Sequence, residues 1–442
     1  MASHSRSIRA SSSLAIDITL KGPDRRLTPE SDTATDSATP TMTAIDLITP
    51  AAVAPATPNK RAPGFDGDIL LITSPRPPTQ KWIDHVEAKF PGLRVIYREL
   101  QWGNLLAADA LTKDDWRSVT VLVTTGFSLP KNPADVPKLR YVQLFSAGAN
   151  MILKEPLFTD TDIVFATANG VHGPQITEWI IATFLAFNHQ IPRYLDQQKE
   201  ATWKRPDVVT EDALTQRVHT TSKCEVVSPA DPTNPRGILG YGSIGRQTAR
   251  VATALGMEVY AYTLHPRDTP ESRRDDGFAP PGTGDPEGIY PTKWFSGATR
   301  EDRHAFLSSG IDLLVVATPL TDDTTHLLGA EELRLLGSTR DDGTWRPGFL
   351  SNIARGPIVE TDALIEALDK GVIRGAALDV TDPEPLPAGH RLWGAKNIII
   401  TPHISGVSTK YDERVLQILE GNLQRLIDGR PLANRVSRKD GY

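Results

Sequence analysis

Three short strings in the C-terminal third of this chain carry the residue types that polar chemistry on a carbonyl needs. They are Asn352-Ile-Ala-Arg355-Gly356, Ala377-Leu378-Asp379-Val380-Thr-Asp-Pro-Glu384-Pro385 and Thr401-Pro402-His403-Ile404-Ser405-Gly406. Each sets a charged or titratable residue just beyond an apolar run that reads as a strand, at 349–352, 376–379 and 398–401. Ligands of open parallel sheets bind at the carboxyl ends of the strands. An arginine, a carboxylate and an imidazole gathered there could fix an anion, orient a proton donor and deliver the proton. Singly, each has a plain structural reading: Arg355 as a surface ion-pair residue, Glu384 as a solvated turn between prolines, His403 as a strand-end residue. Their joint order and spacing favour chemistry.

Upstream, Gly237 to Arg250 contains Gly-x-Gly-x-x-Gly as Gly240, Gly242 and Gly245, with Tyr241, Ser243 and Ile244 inside the loop. Ile238-Leu239 ends a strand before it, an amphipathic helix is expected from Gln247 to Leu255, and Val259 to Tyr262 supplies the next strand. In that βαβ setting the first glycine permits the turn and the second admits a pyrophosphate to the backbone. The third lets helix and strand pack closely, and the helix N-terminus offers N–H groups to the anion. A bare glycine turn is the alternative, and the flanking elements outweigh it.

These strings need a scaffold. Apolar runs at 69–73, 93–97, 119–124, 141–145 and 163–166, with a helix at 79–90, predict a small parallel α/β domain. Its loops include Ala147-Gly148 and Asn169 to Gly173. A single long helix from Gln175 to Trp203 would lead to the second domain, and a closing helix at 407–426 would return to the first. The expected fold is α/β: two Rossmann-like or flavodoxin-like parallel-sheet domains with a cleft between them. Residues 1–67, rich in Ser, Thr, Ala and Pro, read as a disordered tail. Residues 68–178, completed by 407–434, read as the substrate domain and 179–406 as the dinucleotide-binding domain. Two insertions interrupt the second. One, 267–309, is rich in Gly, Pro and charge and reads as a surface excursion. The other, 219–236, contains Asp231-Pro-Thr-Asn-Pro-Arg, poor chemistry for a central strand. Joining Gln216-Arg217-Val218 directly to Gly237-Ile238-Leu239-Gly240 makes a better strand, so this segment reads as a late insertion of the kind a retained intron leaves.

The charge balance, 48 basic against 54 acidic residues for a net −6, points to neither nucleic acid nor an anionic membrane as partner. The only cysteine, Cys224, excludes a disulfide framework and a cysteine metal site, and no metal is expected. No apolar run reaches the length of a bilayer span, so a soluble, cytoplasmic protein is expected. Arg6 and Arg9 among serines faintly suggest a mitochondrial presequence, which Asp17 and Asp24 interrupt.

With the glycine loop and the three C-terminal strings in this order, the chain resembles the D-isomer-specific 2-hydroxyacid dehydrogenase family from about 68 to 434. The resemblance implies that Arg355 binds the carboxylate and carbonyl of a 2-oxo acid, and that His403 gives its proton to the carbonyl oxygen. It makes Glu384 the partner that orients the imidazole and stabilises its charged form. It places the nicotinamide carboxamide on Asp379, the substrate carboxylate on the backbone of Ala147 and Gly148, the adenosine over Thr318-Pro319, and cofactor phosphate near Thr177. His172 has no role in the pattern. NAD-specific members carry an acidic residue at the end of the second strand; here that position is Thr263, and His265 and Arg267 could face a 2′-phosphate. NADP(H) is therefore favoured, with NAD(H) as the alternative.

The implied activity is hydride transfer to C2 of a small-molecule 2-oxo acid, of the glyoxylate or hydroxypyruvate reductase type, in a homodimer. A non-catalytic, co-repressor-like protein on the same fold is the competing class. Formate dehydrogenase is disfavoured because it pairs its histidine with glutamine where Glu384 stands. Phosphoglycerate dehydrogenase is disfavoured because little chain follows the closing helix.

Overall fold

The computed structural model describes residues 64–100, 111–205, 217–222 (backbone only), 241–339 and 343–438. The first lobe is built on β1 (Asp68–Ser74), β2 (Leu93–Glu99), β3 (Val121–Thr124), β4 (Tyr141–Leu144) and β5 (Val164–Ala166). They pair in parallel in the order β2-β1-β3-β4-β5. Leu70, Leu71 and Ile72 run unbroken through β1 and are wholly buried, as a strand covered on both faces requires. Helices α1 (Gln80–Lys89), α2 (Lys113–Ser118) and α3 (Pro156–Thr159) connect the strands. Thr79 starts α1 by accepting a hydrogen bond from the Trp82 N–H. Phe65, two residues before Gly67, is already in the core, edge-on to Phe90 at 5.7 Å.

Helices α4 (Gly173–Asn188) and α5 (Ile191–Lys199) lead away from this sheet. The single helix expected from Gln175 to Trp203 is thus two helices. Gln190 takes a left-handed conformation (φ 54°), and Pro192, which has no N–H to continue the ladder, opens α5.

The second lobe contains, in order, β6 (Arg217–Ser222), α6 (Ser243–Ala254), β7 (Glu258–Thr263), α7 (Pro270–Arg273), β8 (Lys293–Ser296), α8 (Arg300–Leu307), β9 (Leu313–Ala317) and α9 (Ala330–Leu335). An antiparallel hairpin, β10 (Gly337–Thr339) and β11 (Trp345–Pro347), precedes β12 (Phe349–Asn352), α10 (Thr361–Asp369), β13 (Gly375–Leu378) and β14 (Ile398–Ile400). The seven-stranded sheet is parallel, in the order β14-β13-β12-β9-β6-β7-β8. Strand order reverses at β6 and β9, where a doubly wound sheet opens its ligand crevice.

Helix α11 (Tyr411–Ile427) returns to the first lobe, where Val415, Ile418, Leu419 and Leu423 join the core of Leu70, Ile72 and Phe90. It starts at Tyr411 rather than at 407, because the intervening residues form the loop that carries His403. No helix among the described residues is long and apolar enough to cross a membrane.

Two expectations change in the second lobe. The excursion expected over 267–309 is shorter, since β8 and α8 lie within it. β8 is a four-residue edge strand with too little alternation to stand out, and α8 is started by a reciprocal Thr299–Asp302 capping box. The central strand also differs. β6 runs through His219 to Ser222, assigned above to the inserted segment, and pairs Val218 with Val259 and Thr221 with Val316. The rest of that segment, with Cys224, Gly237 to Leu239 and Gly240, lies outside the described residues, as does the tail at 1–63.

Candidate active site

The three C-terminal strings become three adjacent loops at the carboxyl ends of β12, β13 and β14. After β12, Asn352 folds the first loop on itself: its Oδ1 accepts from the Ala354 N–H at 3.1 Å and its Nδ2 donates to the Arg355 carbonyl at 3.2 Å. Arg355 Nη1 donates to the Ala354 carbonyl at 2.6 Å. Gly356 must be glycine, because a Cβ there would overlap the Thr381 carbonyl in the loop after β13. That close approach brings Arg355 and Glu384 into one neighbourhood.

Asp379, at the end of β13, is 2% exposed and organises the third loop. Its carboxylate accepts the Thr401 hydroxyl at 2.6 Å, the Ile404 and Ser405 N–H groups at 2.9 Å each, and the Ser405 hydroxyl. Its carbonyl takes the His403 N–H at 2.8 Å. These bonds hold His403 in the left-handed region (φ 55°), a conformation that costs a non-glycine residue about 1–3 kcal/mol. Each Asp379 oxygen thus takes two donors from the loop, which uses the roughly four acceptor sites of a carboxylate.

His403 Nδ1 lies 2.7 Å from Glu384 Oε1. With Nδ1–H donated to the carboxylate, Nε2 is left to face a ligand. The two side chains are 47% and 39% exposed, so the pair is reachable from solvent. Burial pulls the Arg355 guanidinium pKa down and the Glu384 charge pulls it back, and an arginine in that balance stays protonated.

From the first lobe, the loop after β4 closes on the same point. The Ser146 hydroxyl donates to the Gly148 carbonyl at 2.7 Å, and Arg355 Nη2 sits 3.3 Å from where a Gly148 Cβ would stand. Gly148, next to Ala147, therefore faces Arg355 across the boundary between the lobes. His172 lies in the electrostatic field of both Arg355 and His403, so it belongs to the same cluster, as does Tyr411, whose ring centroid is 5.0 Å from its own.

The dinucleotide side is less uniform. Gly242 is the N-cap of α6 and no side chain among the described residues caps that end, which leaves its first N–H groups open to an anion. The Ser243 hydroxyl donates to Asn169 Oδ1 at 3.1 Å, while Ile244 packs against the core. Gly245 is buried in the first turn of α6, as close packing requires. Tyr241 turns its side chain away from the crevice: it is buried, donates to Asp285 Oδ2 at 2.9 Å and meets Trp294 edge-on. Thr177, expected near cofactor phosphate, is corrected. It is wholly buried between α4 and α6 with its hydroxyl 3.1 Å from that of Thr248, so it packs two helices and faces no crevice. Thr318, just past β9 and followed by Pro319, is 1% exposed, and its buried hydroxyl has no partner among the described residues. Thr263 ends β7 with its hydroxyl donated to the His265 carbonyl at 2.6 Å. His265 and Arg267 are half-buried, and Arg267 Nη1 donates to the Ser272 carbonyl.

Comparison with known proteins decides what this crevice belongs to. The pattern of the D-isomer specific 2-hydroxyacid dehydrogenase NAD binding domain matches residues 181–279 and 292–405, and its gap falls in the excursion before β8. This chain belongs to the D-isomer-specific 2-hydroxyacid dehydrogenases. A glyoxylate reductase from Thermofilum pendens is 26% identical over 293 residues, 66% of this chain and 73% of that protein. A hydroxypyruvate reductase from Blautia hydrogenotrophica is 30% identical over 196 residues, 44% of this chain and 51% of that one. Among solved structures, a D-isomer specific 2-hydroxyacid dehydrogenase from Xanthobacter autotrophicus, in complex with NADPH and MES, shares 26% identity at a TM-score of 0.61, covering 85% of this chain and 100% of its own.

As a member of this family the chain is an NAD(P)-dependent oxidoreductase acting on 2-hydroxy acids, with a nicotinamide dinucleotide as cofactor. Its residues fit that group: a helix N-terminus after Gly242 and a buried hydroxyl on Thr318, both without a partner among the described residues, stand where a dinucleotide would lie.

Proposed function

We propose that this chain reduces a small 2-oxo acid to the D-2-hydroxy acid, or runs the reverse reaction, with His403 as the acid–base group. The observation that carries this reading is the 2.7 Å His403–Glu384 pair, with Arg355 and Gly148 meeting across the lobes beside it. Arg355 and the Ala147-Gly148 backbone hold the substrate carboxylate, and the guanidinium fork orients the neighbouring carbonyl. The reduced nicotinamide, when bound, supplies the hydride to C2. As negative charge develops on the carbonyl oxygen, His403 Nε2–H gives it a proton, and Arg355 stabilises that charge in a partly desolvated site. Glu384 keeps the ring in the tautomer that presents Nε2 and steadies the imidazolium. Residues 68–178 with 407–434 then form the substrate half and 179–406 the cofactor half. The names of the glyoxylate and hydroxypyruvate reductase relatives support short 2-oxo acids as the first substrates to test.

For the cofactor we favour NADP(H). No carboxylate stands at Thr263 to bind a ribose 2′-hydroxyl, and His265 with the remaining N–H groups of Arg267 could meet a 2′-phosphate. The NADPH-bound Xanthobacter relative supports this. NADPH should exceed NADH in kcat/KM by roughly tenfold or more, and Arg267→Ala should erase most of the difference; a tenfold preference for NADH would reject the assignment.

A co-repressor-like role on the same fold predicts cofactor binding without turnover over a 2-oxo acid panel. A homodimer is also proposed, supported by Ile191 and Leu195 on α5 and by Trp203, all exposed at 44%, 51% and 92%. Light scattering reads it directly. A cytoplasmic location is proposed with it.

A further inference from the structure

The loop that carries His403 is tied down at two points, and only one of them lies in its own lobe. Asp379 holds its first half, as described. Among the described residues its second half is held from across the boundary through one atom, the Gly406 carbonyl oxygen. That oxygen lies 3.3 Å from His172 Nδ1, just before α4, and accepts from Gln175 Nε2 at 3.0 Å. The Gln175 amide is itself fixed in direction. Its Oε1 accepts from Arg414 Nη1 at 2.6 Å, and Arg414, on α11, also donates to the Val171 carbonyl at 2.9 Å. An arginine can only donate, so the Gln175 oxygen must face it and the Gln175 N–H must face Gly406. A Cβ at Gly406 would stand 2.8 Å from His172 Nδ1, so the approach is closer than any other residue permits.

The contact path continues to the substrate side. The Tyr411 hydroxyl donates to the Phe145 carbonyl, directly before Ser146 to Gly148, and its ring packs on His172. The loop facing Arg355 and the loop carrying His403 are therefore joined by named contacts through Tyr411, His172 and Gly406.

We propose that His172 and Gln175, the latter pinned by Arg414, are positioning residues: a latch between the lobes that sets where His403 stands relative to the substrate carbonyl. This rests on His403 being the proton donor. Proton transfer tolerates little displacement, and His403 sits in a backbone conformation that relaxes when its tethers go. Burial, with the charges of Arg355, His403 and Arg414 around it, lowers the His172 pKa from 6.5 to about 4, so its ring is neutral at neutral pH and Nδ1–H is the donor the Gly406 oxygen requires.

The test uses the full chain and four variants. Gln175→Glu keeps an acceptor for Arg414 and replaces the donor to Gly406 with an oxygen. His172→Leu removes the other donor, and His172→Gln restores an N–H. Turnover in Gln175→Glu and His172→Leu should fall by about ten- to a hundredfold, the expected cost of an ångström-scale misplacement. The pH profile of kcat should shift, while the dissociation constant for NADPH and the thermal midpoint stay near wild type. His172→Gln should recover a clear part of the loss. Wild-type kcat and an unshifted pH profile in both disrupting variants would overturn the latch; so would losses that track only the folded fraction. His403→Asn, run alongside, separates the two readings. If it alone abolishes turnover, the latch fails and the donor assignment stands. If it turns over normally, the donor assignment has failed, whatever the latch variants do.

Discussion

At the scale of single residues the site depends on two carboxylates with different work. Glu384 faces the crevice and orients the His403 ring, while Asp379 is buried and shapes the backbone on which that ring stands. Asp379→Asn should therefore cost stability as well as rate, because hydrogen bonds to a charged acceptor contribute about 1.5–3 kcal/mol each and an amide accepts through only one of its two atoms. Urea unfolding and kcat on the same preparation would show both losses; a variant that loses rate alone would place Asp379 outside the loop's support. His172 gives a pH-dependent prediction. Its folded pKa, about 4, lies below the ordinary histidine value of 6.5, so the unfolded chain takes the proton first. Its contribution to stability is complete above about 6.5 and is lost as pH falls through the window down to about 4. Urea midpoints at pH 7 and pH 5 should differ less in His172→Gln than in wild type. Arg355, Glu384 and His403 were readable before the fold because each follows an apolar strand. Gln175, Arg414 and the true place of Thr177 were not, since which face of α4 meets α6, α11 or solvent is decided by packing between lobes and leaves no mark on local spacing.

At the scale of elements the central strand raises the sharpest question. β6 sits between β7 and β9, and strands buried in parallel sheets are normally apolar throughout. Its second half reads His-Thr-Thr-Ser, while Gly237-Ile238-Leu239-Gly240 would suit the position better. We expect deletion of residues 219–236, which joins Val218 to Gly237, to stabilise the chain by about 2 kcal/mol or more through burial of Ile238 and Leu239, and to tighten cofactor binding. Loss of folding on deletion would show the segment to be integral. Long strands and capped helices were legible from alternation and from residues such as Thr79. The break at Gln190 and the four-residue β8 were not, because one left-handed residue and one short edge strand change the path without changing composition.

Across the whole molecule, the chain leaves the first lobe through α4 and returns through α11, so both lobes depend on segments distant in sequence. Leu419, wholly buried on α11, packs in one core with Leu70 of the first sheet and Phe90 at the end of α1. Leu419→Ala should cost about 2–5 kcal/mol and lower the unfolding midpoint of the entire molecule if the closing helix completes the first lobe's core. The return also places Tyr411 and Arg414 beside the His403 loop, so the helix that closes the fold borders the chemistry. The central claim, that His403 protonates a 2-oxo acid carbonyl here, is tested most directly by single-turnover oxidation of bound NADPH. Wild type and His403→Asn would each be mixed with glyoxylate and hydroxypyruvate. The account predicts turnover in wild type and a loss of about 10²- to 10⁴-fold in His403→Asn, with NADPH binding unchanged. Equal rates in the two proteins, or NADPH bound and never oxidised by wild type with any 2-oxo acid, would contradict it.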